Sequence, residues 1–242
     1  MRHLPFERLH NFRDVGGYST SDGSTVQWRR LYRSDGLGKL AGADWVAFQA
    51  LGVRTVIDLR NPEEIARRGR VPDHPGLAYH NLSIEHRPFK QATLAPDVEP
   101  VRFLADRNAE VLVDGAAEIA QALAVIALAE NTPVVIHCAA GKDRTGLLAA
   151  LVLSLVGVGD EDIVADYALT GLAAEKFVAD WHANPANPRI TWPAYGHAPA
   201  EAMRLTLKEL AATHGSVHDY ARDRLGVDDA LLVALRATLL DP

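Results

Sequence analysis

The residues whose types and spacing could support chemistry lie in one short stretch near the middle of the chain. Cys138, the only cysteine, follows the strand-like run 134–137, and Arg144 and Thr145 come six and seven positions later. A thiolate is a strong nucleophile, and the planar fork of an arginine can hold two oxygens of a phosphate group at once. The stretch therefore predicts attack by Cys138 on the phosphorus of a phosphate ester that Arg144 holds.

The loop between this run and the next helix is predicted to bind an anion. Residues 138–144 form the loop, and an apolar helix is expected over 145–156. Backbone N–H groups converge where such a loop meets a helix N-terminus, and they favour both a bound anion and the thiolate form of a cysteine. Ala139, Ala140 and Gly141 are small enough to let a phosphate approach the backbone.

Three further side chains of the stretch have predicted roles. Thr145 can donate a hydrogen bond to the sulfur and ease its departure from the phosphocysteine, and His137 can orient the loop by bonding to the backbone. Lys142 carries a charge that would suit a second phosphate, and the alternative is a solvent-facing lysine. Because Arg144 and the backbone amides can stabilise the charge of the transition state, we predict no metal and no cofactor.

The stretch has four other interpretations, and each has its own requirements. A nucleotide-binding Walker loop needs Gly at position 136 and Ser or Thr at 143, where the chain has Ile136 and Asp143. A rhodanese-type sulfurtransferase also has a cysteine in a loop before a helix, but the spacing from Cys138 to Arg144 favours phosphate chemistry. A buried, inert thiol would need neither the arginine nor the hydroxyl residue. A phosphate-binding protein without turnover stays open as the rival from another class.

The segments around the stretch predict an α/β fold with a parallel sheet. Residues 53–59 are rich in β-branched side chains and predict a strand, after which Asn61 and Pro62 predict the N-cap and first residue of a helix. A helix that connects two strands indicates a parallel pair. Further helices are predicted at 43–51, 114–130, 160–181, 199–213, 216–225 and 228–240.

Two segments lack clear periodicity. Residues 83–113 contain three prolines and are predicted as a long loop with short helices, a candidate lid or insertion. Residues 184–198 are a Pro-rich break with aromatic side chains. We expect a single phosphatase domain over 1–242, with 199–242 as its helical C-terminal part.

Composition and charge exclude several classes of protein. With 48% hydrophobic residues and a net charge of −6, the chain is not the basic chain expected of a general nucleic-acid binder. One cysteine permits no internal disulfide. The N-terminus lacks the apolar core of a signal peptide, and the longest apolar run, 147–159, is too short to span a bilayer. We expect a cytoplasmic protein without stable membrane insertion. Export without a signal peptide stays open, and no oligomeric state is predicted.

Cys-x5-Arg-Thr is the signature of the protein tyrosine phosphatase superfamily, and the chain resembles one branch of it. That branch comprises the atypical bacterial and fungal tyrosine phosphatases, whose loop reads Cys-x-x-Gly-Lys-Asp-Arg, as residues 138–144 do here. The resemblance implies a protein-tyrosine-phosphatase-like fold, with a largely parallel central sheet, helices on both faces and a helical lid region. Further matching segments span almost the whole chain: 11–17, 31–35, 51–60, 215–217 with Tyr220, and 225–227.

The resemblance also implies a substrate class and a catalytic acid. The substrates would be phosphoproteins, chiefly at tyrosine but also at serine or threonine, phosphoinositides or small phosphate esters. The acid would be Asp143, whereas ordinary tyrosine phosphatases carry it on a Trp-Pro-Asp loop, and here Trp192-Pro193 precedes Ala194. An acid is required because the leaving oxygen needs a proton. The alternative for Asp143 is an ion pair with a nearby arginine.

The remaining site candidates lie outside the loop. Asp58, at the end of a predicted strand, is the second candidate acid, although we favour a role with Arg60 in fixing loops near the site. Three more residues are placed beside the site by the resemblance alone and would otherwise be interpreted as turn residues: Arg13, Asp14 and Asp35.

Overall fold

A five-stranded sheet forms the centre of the computed structural model, which describes residues 2–241. The strands of the chain are β1 (Arg13–Asp14), β2 (Thr25–Val26), β3 (Leu31–Ser34), β4 (Thr55–Asp58), β5 (Ala78–Asn81), β6 (Val134–His137) and β7 (Leu240–Asp241). The order β1-β3-β6-β4-β5 places β6 in the middle. Strands β3, β6, β4 and β5 run parallel, and β1 is antiparallel to β3. The predicted α/β fold with a largely parallel sheet is confirmed.

Helices flank this sheet. They are α1 (Gly42–Ala50), α2 (Pro62–Arg68), α3 (Pro100–Asp114), α4 (Ala116–Ala127), α5 (Asp143–Leu155), α6 (Asp160–Ala168), α7 (Ala174–His182), α8 (Ala200–His214), α9 (Val217–Leu225) and α10 (Asp229–Leu239). Short 3-10 turns lie at Leu37–Lys39, Gln91–Thr93, Ala129–Asn131 and Leu169–Ala173. A small second sheet pairs β2 with β7. None of the described helices is long and apolar enough to cross a membrane.

Alternation of side chains along the central strands divides the core between the two faces of the sheet. Val56 of β4 and Val135 of β6 pack in one apolar cluster with Phe48 of α1. Their neighbours Ile57 and Ile136 belong to the larger cluster on the opposite face. Successive side chains of a strand point to opposite faces, so strands buried on both faces must be apolar throughout. This explains why the run before Cys138 carries no polar residue until its last position.

Helix α2 begins as its sequence predicts. The side chain of Asn61 accepts a hydrogen bond from the Glu64 N–H at 3.0 Å, and the Glu64 carboxylate accepts one from the Asn61 N–H at 3.1 Å. This reciprocal pair is a capping box, with Pro62 at the first helical position. The cap fixes Glu64 at the carboxyl edge of the sheet, close to the end of β4.

Helix α5 begins two residues earlier than predicted, at Asp143 instead of Thr145. The reason is the sharp turn at Gly141, whose φ of 64° completes the loop sooner. A carboxylate in the first turn, here Asp143, is favoured by the helix dipole. As a result Asp143 and Arg144 both lie in the first turn of α5.

The prediction of a long loop with short helices over 83–113 is wrong for the second half of that segment. Helix α3 occupies it, beginning at Pro100 with Glu99 as its N-cap. The Glu99 carboxylate accepts hydrogen bonds from the N–H groups of Val101 and Arg102, at 3.0 and 2.7 Å. The helix packs against α8, and the polar side chain of Asn108 on its buried face donates to Thr206 at 3.0 Å. That buried polar residue weakens the apolar periodicity on which the prediction depended.

Candidate active site

Cys138 lies directly after the central strand β6 and is 3% exposed. The loop that follows passes close to the end of β3. A Cβ added at Gly141 would stand 2.3 Å from the Ser34 carbonyl oxygen, so only glycine fits there. The positive φ of Gly141 makes the same demand. The sheet therefore determines the curvature of the loop around Cys138.

The loop carbonyls are hydrogen-bonded to neighbouring segments. Asn11 Nδ2 donates to the carbonyl oxygens of Ala140 and Gly141, at 2.9 and 3.0 Å, and Arg33 Nη2 donates to that of Gly141 at 2.8 Å. The Ala139 carbonyl accepts from the Gly36 N–H at 3.1 Å. In a trans peptide the N–H points opposite to the C=O. The N–H groups of residues 140–142 therefore point away from these donors, as a loop that binds an anion requires.

A buried ion cluster supports this arrangement. Asp166 of α6 lies between two arginines, with its Oδ1 3.2 Å from Arg13 Nε and its Oδ2 2.5 Å from Arg33 Nη1. Burial alone would raise the pKa of Asp166, but the two guanidinium groups hold it well below its usual range. Burial, together with the charge of Arg33, lowers the pKa of Arg13 to about 10. Asp166 and Arg13 stay ionised near neutral pH, and the cluster ties β1 and β3 to α6 behind the loop.

Arg144 is oriented by Glu64. Its Nη1 and Nη2 donate to the two carboxylate oxygens of Glu64, at 2.6 and 3.0 Å. Burial disfavours its charge, but Cys138, Glu64 and Glu85 are close enough to raise the pKa of Arg144 above its ordinary value. A bidentate ion pair of this kind holds the guanidinium plane in one orientation. Arg144 is thereby kept charged beside Cys138.

Thr145 and His137, which flank Arg144 and Cys138 in the chain, are both buried but differ in their contacts. The Thr145 hydroxyl is buried and has no hydrogen-bond partner among residues 2–241. His137 Nδ1 lies 3.2 Å from the Cys138 carbonyl oxygen, the backbone contact that the sequence predicts. Burial lowers the pKa of His137 to about 4, so its ring is neutral at neutral pH. Nε2 of His137 lies 3.5 Å from Asp58.

Asp143 is more open than its neighbours, with 28% of its side chain exposed. The Tyr167 hydroxyl donates to its Oδ1 at 3.4 Å, and Lys142 Nζ is 3.5 Å from the same atom. Among the ion pairs of the described residues, its partner is this lysine and not an arginine. Asp143 is therefore both reachable from the mouth of the site and anchored on one side.

The Asp58 carboxylate is held by hydrogen bonds from two neighbouring side chains. Arg60 donates to it through Nε at 2.9 Å and Nη2 at 2.6 Å, and the Tyr79 hydroxyl donates at 3.0 Å. Burial would raise the pKa of Asp58, but the Arg60 hydrogen bonds and charge outweigh it and leave the pKa lowered. These contacts favour the positioning role with Arg60 over the role of acid.

The other two predicted aspartates lie in different places. Asp35 accepts from the backbone N–H groups of His10 and Asn11, both at 3.1 Å, so it holds the segment that carries Asn11. Asp14 accepts from the N–H groups of Gly16 and Arg29, both at 2.8 Å. Asp35 therefore holds the segment whose Asn11 side chain contacts the loop. Asp14 instead contacts a turn at the other end of β1.

Lys142 does not face solvent, so that alternative is wrong. It is 1% exposed, and its Nζ donates to the Gln91 side-chain oxygen at 3.1 Å and to the His197 carbonyl at 3.0 Å. The Trp192 ring centre lies 6.0 Å away. Gln91 and His197 come from the two segments that lack periodicity, and these segments meet where Thr191 N–H donates to the Ala92 carbonyl at 2.8 Å.

An apolar groove of about 520 Å³ opens beside these two segments. Trp192 and His197 line it, together with Val98 and prolines of both segments. Lys142 of the loop contacts His197, which lines this groove.

Several residues that surround the site were not predicted from the sequence. Glu64 was not among the predicted site residues, yet the topology offered a signal for its contact with Arg144. The carboxyl ends of neighbouring parallel strands lie at one edge of a sheet, so the start of α2 had to lie near the start of α5. Asp166 had a weaker signal, as an acid next to the apolar residues Ile163, Val164 and Tyr167 of the same helix. Asn11 and Arg33 lay within segments that match the resembled family but were given no contact with the loop, and Glu85 carried no local signal.

A cysteine at the carboxyl end of a central parallel strand, followed by an amide-lined loop and an oriented arginine, defines the class of cysteine-dependent phosphatases. The sequence profile of the tyrosine phosphatase family matches residues 4–241. The chain belongs to this family. The predicted resemblance and the predicted enzyme class, a protein-tyrosine-phosphatase-type hydrolase, are confirmed.

Two relatives identified by sequence agree with this assignment. A Cupriavidus necator protein named as a candidate tyrosine-protein phosphatase is 31% identical over 95% of this chain and 86% of its own. The triple specificity protein phosphatase PtpB of Mycobacterium tuberculosis is 30% identical over 95% of this chain and 96% of its own. Among solved structures, TpbA of P. aeruginosa is 22% identical, with a TM-score of 0.37, and the match covers 76% of this chain and 90% of that one.

Proposed function

We propose that this chain hydrolyses phosphate monoesters, with phosphotyrosine in proteins as the chief substrate class. The observation that carries the proposal is the position of Arg144, which Glu64 holds beside Cys138 at the mouth of an amide-lined loop. The name of the mycobacterial relative, a triple specificity protein phosphatase, supports a range wider than phosphotyrosine. We include phosphoserine, phosphothreonine and phosphoinositides in that range. We also propose that residues 1–242 act as one domain.

In the first step, the Cys138 thiolate attacks phosphorus, so an S–P bond forms while the P–O bond to the leaving group breaks. Arg144 and the N–H groups of residues 140–142 hold the three equatorial oxygens, on which negative charge lies in the transition state. Asp143 delivers its proton to the leaving oxygen. In the second step, water attacks the phosphocysteine, so a P–O bond forms while the S–P bond breaks. The Asp143 carboxylate takes the proton of that water, and the hydroxyl of Thr145 stabilises the departing thiolate.

The role of Asp143 predicts a dependence on the leaving group. Asp143→Asn removes the proton donor, so kcat for phenyl phosphate should fall by about 10²- to 10³-fold. A nitrophenyl phosphate, whose leaving oxygen is stable without a proton, should lose much less. Initial rates for a series of substituted phenyl phosphates measure this as a steeper slope against the leaving-group pKa. Equal losses across the series would argue that Asp143 acts on structure alone.

The proposed function is tested by initial rates in EDTA with a phosphotyrosine peptide, a phosphothreonine peptide and a phosphoinositide. We expect metal-independent release of phosphate, fastest from the phosphotyrosine peptide. A preference for the phosphoinositide would instead indicate that Lys142 exchanges its contacts with Gln91 and His197 for a second phosphate. Tight phosphate binding with no turnover would identify the non-catalytic rival. Transfer of sulfur from thiosulfate to cyanide would identify the sulfurtransferase.

A further inference from the structure

Glu85 carries a mostly buried carboxyl group that the mechanism above does not use. It follows β5 in the chain, at the carboxyl edge of the sheet, and 11% of its side chain is exposed. Its Oε2 lies 3.5 Å from Arg144 Nη1, and its Oε1 lies 3.4 Å from Arg107 Nη2 on α3. Glu85 is therefore next to the group that would hold the phosphate.

Both of these arginines make shorter contacts to other carboxylates. Arg144 makes its short hydrogen bonds to Glu64, at 2.6 and 3.0 Å. Arg107 makes a shorter contact to Glu110 than to Glu85. Glu85 is thus left with two long contacts, which compensate only in part for the loss of water around a buried carboxylate.

The charged groups that face Glu85 come from three helices. Glu64 of α2 and Asp143 of α5 disfavour its negative charge, whereas Arg144 of α5 and Arg107 of α3 favour it. Burial is the largest influence, and the net result is a raised pKa for Glu85. The pKa of Glu64, by contrast, is lowered, because its hydrogen bonds with Arg144 outweigh burial. Of the two glutamates beside Arg144, Glu85 is the one that binds a proton more readily.

A phosphate at Arg144 would add up to two negative charges beside this carboxyl group. Like charges at short range strongly favour protonation of the weaker acid of the pair, which here is Glu85. A neutral carboxylic acid can donate one hydrogen bond, whereas a carboxylate can only accept. Protonation would convert a repulsive contact into a favourable one.

We propose that Glu85 takes up a proton from solvent when an oxyanion binds at Arg144, and donates it as a hydrogen bond to an oxygen of that anion. The proposal rests on the proposed function, because it requires that the loop binds the phosphate group. It assigns Glu85 to binding and positioning of the phosphate, and leaves delivery of a proton to the leaving oxygen with Asp143. Oxyanion affinity should accordingly fall as pH rises, since the required proton becomes scarcer.

Tungstate is the appropriate probe, because it stays a dianion through the neutral range and so does not release or bind the proton itself. Binding is measured by calorimetry in the Cys138→Ser protein, which removes the thiolate as another proton acceptor. Two buffers of different ionisation enthalpy report the number of protons taken up. We expect proton uptake with Glu85 present, and an affinity that falls by up to about tenfold per pH unit. In Cys138→Ser/Glu85→Gln, both the uptake and the pH dependence should disappear.

Glu118→Gln, in the same Cys138→Ser protein, is the matched control, since Glu118 contacts His86, next to Glu85, at 3.3 Å. It should leave the uptake unchanged. Uptake that persists in the Glu85→Gln protein, or that disappears with Asp143→Asn instead, would overturn the proposal. A pH-independent affinity in Cys138→Ser alone would overturn it as well, even if the Glu85 variant did not fold. No tungstate binding by any folded variant would instead count against the phosphate site itself.

Discussion

Cys138→Ser should lower turnover of a phosphotyrosine peptide by about 10⁵- to 10⁶-fold, as loss of a nucleophile does in other enzymes. A serine hydroxyl at this position is not ionised near neutral pH. The adjacent His137 is not placed to activate it, because its ring is buried and its Nδ1 faces the Cys138 carbonyl. The measurement is the initial rate in EDTA, with detection sensitive enough to set a limit. Replacement of the side-chain sulfur by oxygen should leave the fold intact, since the loop is held by Asn11 and Arg33.

The binding of oxyanions separates this prediction from simple misfolding. The loop amides and Arg144 remain in the serine variant, so its affinity for tungstate should stay within about tenfold of that of the wild type. Retained turnover in the variant would mean that Cys138 is not the nucleophile. Loss of both turnover and binding, in a protein that still unfolds cooperatively, would mean that the anion binds elsewhere.

Arg144→Lys should lower kcat by about 10³-fold, although it keeps the positive charge. An ammonium group cannot make two parallel hydrogen bonds to a phosphate, and it cannot be held by both oxygens of Glu64 as the guanidinium is. The loss should be larger in kcat than in KM, because the arginine matches the trigonal arrangement of oxygens in the transition state. Steady-state kinetics with an aryl phosphate measures the two separately.

Arg204→Lys is the matched control for this prediction. Arg204 also forms two carboxylate pairs, with Glu161 and Glu201, but on the surface of α8. Its replacement should leave kcat unchanged, because exposed ion pairs contribute little. If Arg144→Lys changed only KM, Arg144 would be a binding residue for the ground state and not a stabiliser of the transition state.

Local patterns in the sequence determined the chemistry of the loop and many of the element boundaries. The β-branched run before Cys138, the Asn61-Pro62 start of α2 and the small residues at 139–141 all act through near neighbours. Strand propensity, capping and steric access depend on the residues within about one turn of the chain. They can therefore be read without knowing the fold.

Contacts between distant segments were decided by the tertiary structure alone. Asn11 reaches the loop across 129 positions, Arg33 meets Asp166 across 133, and Arg144 meets Glu64 across 80. Such pairs exist because parallel strands bring their carboxyl ends to one edge of the sheet, whatever their order in the chain. Lys142 depends on distant segments in the same way. Its charge is evident in the sequence, but its burial depends on Gln91 and His197, which lie in two segments with no periodic pattern. The sequence by itself determined which groups can react, and the packing of the sheet edge decided which partners surround them.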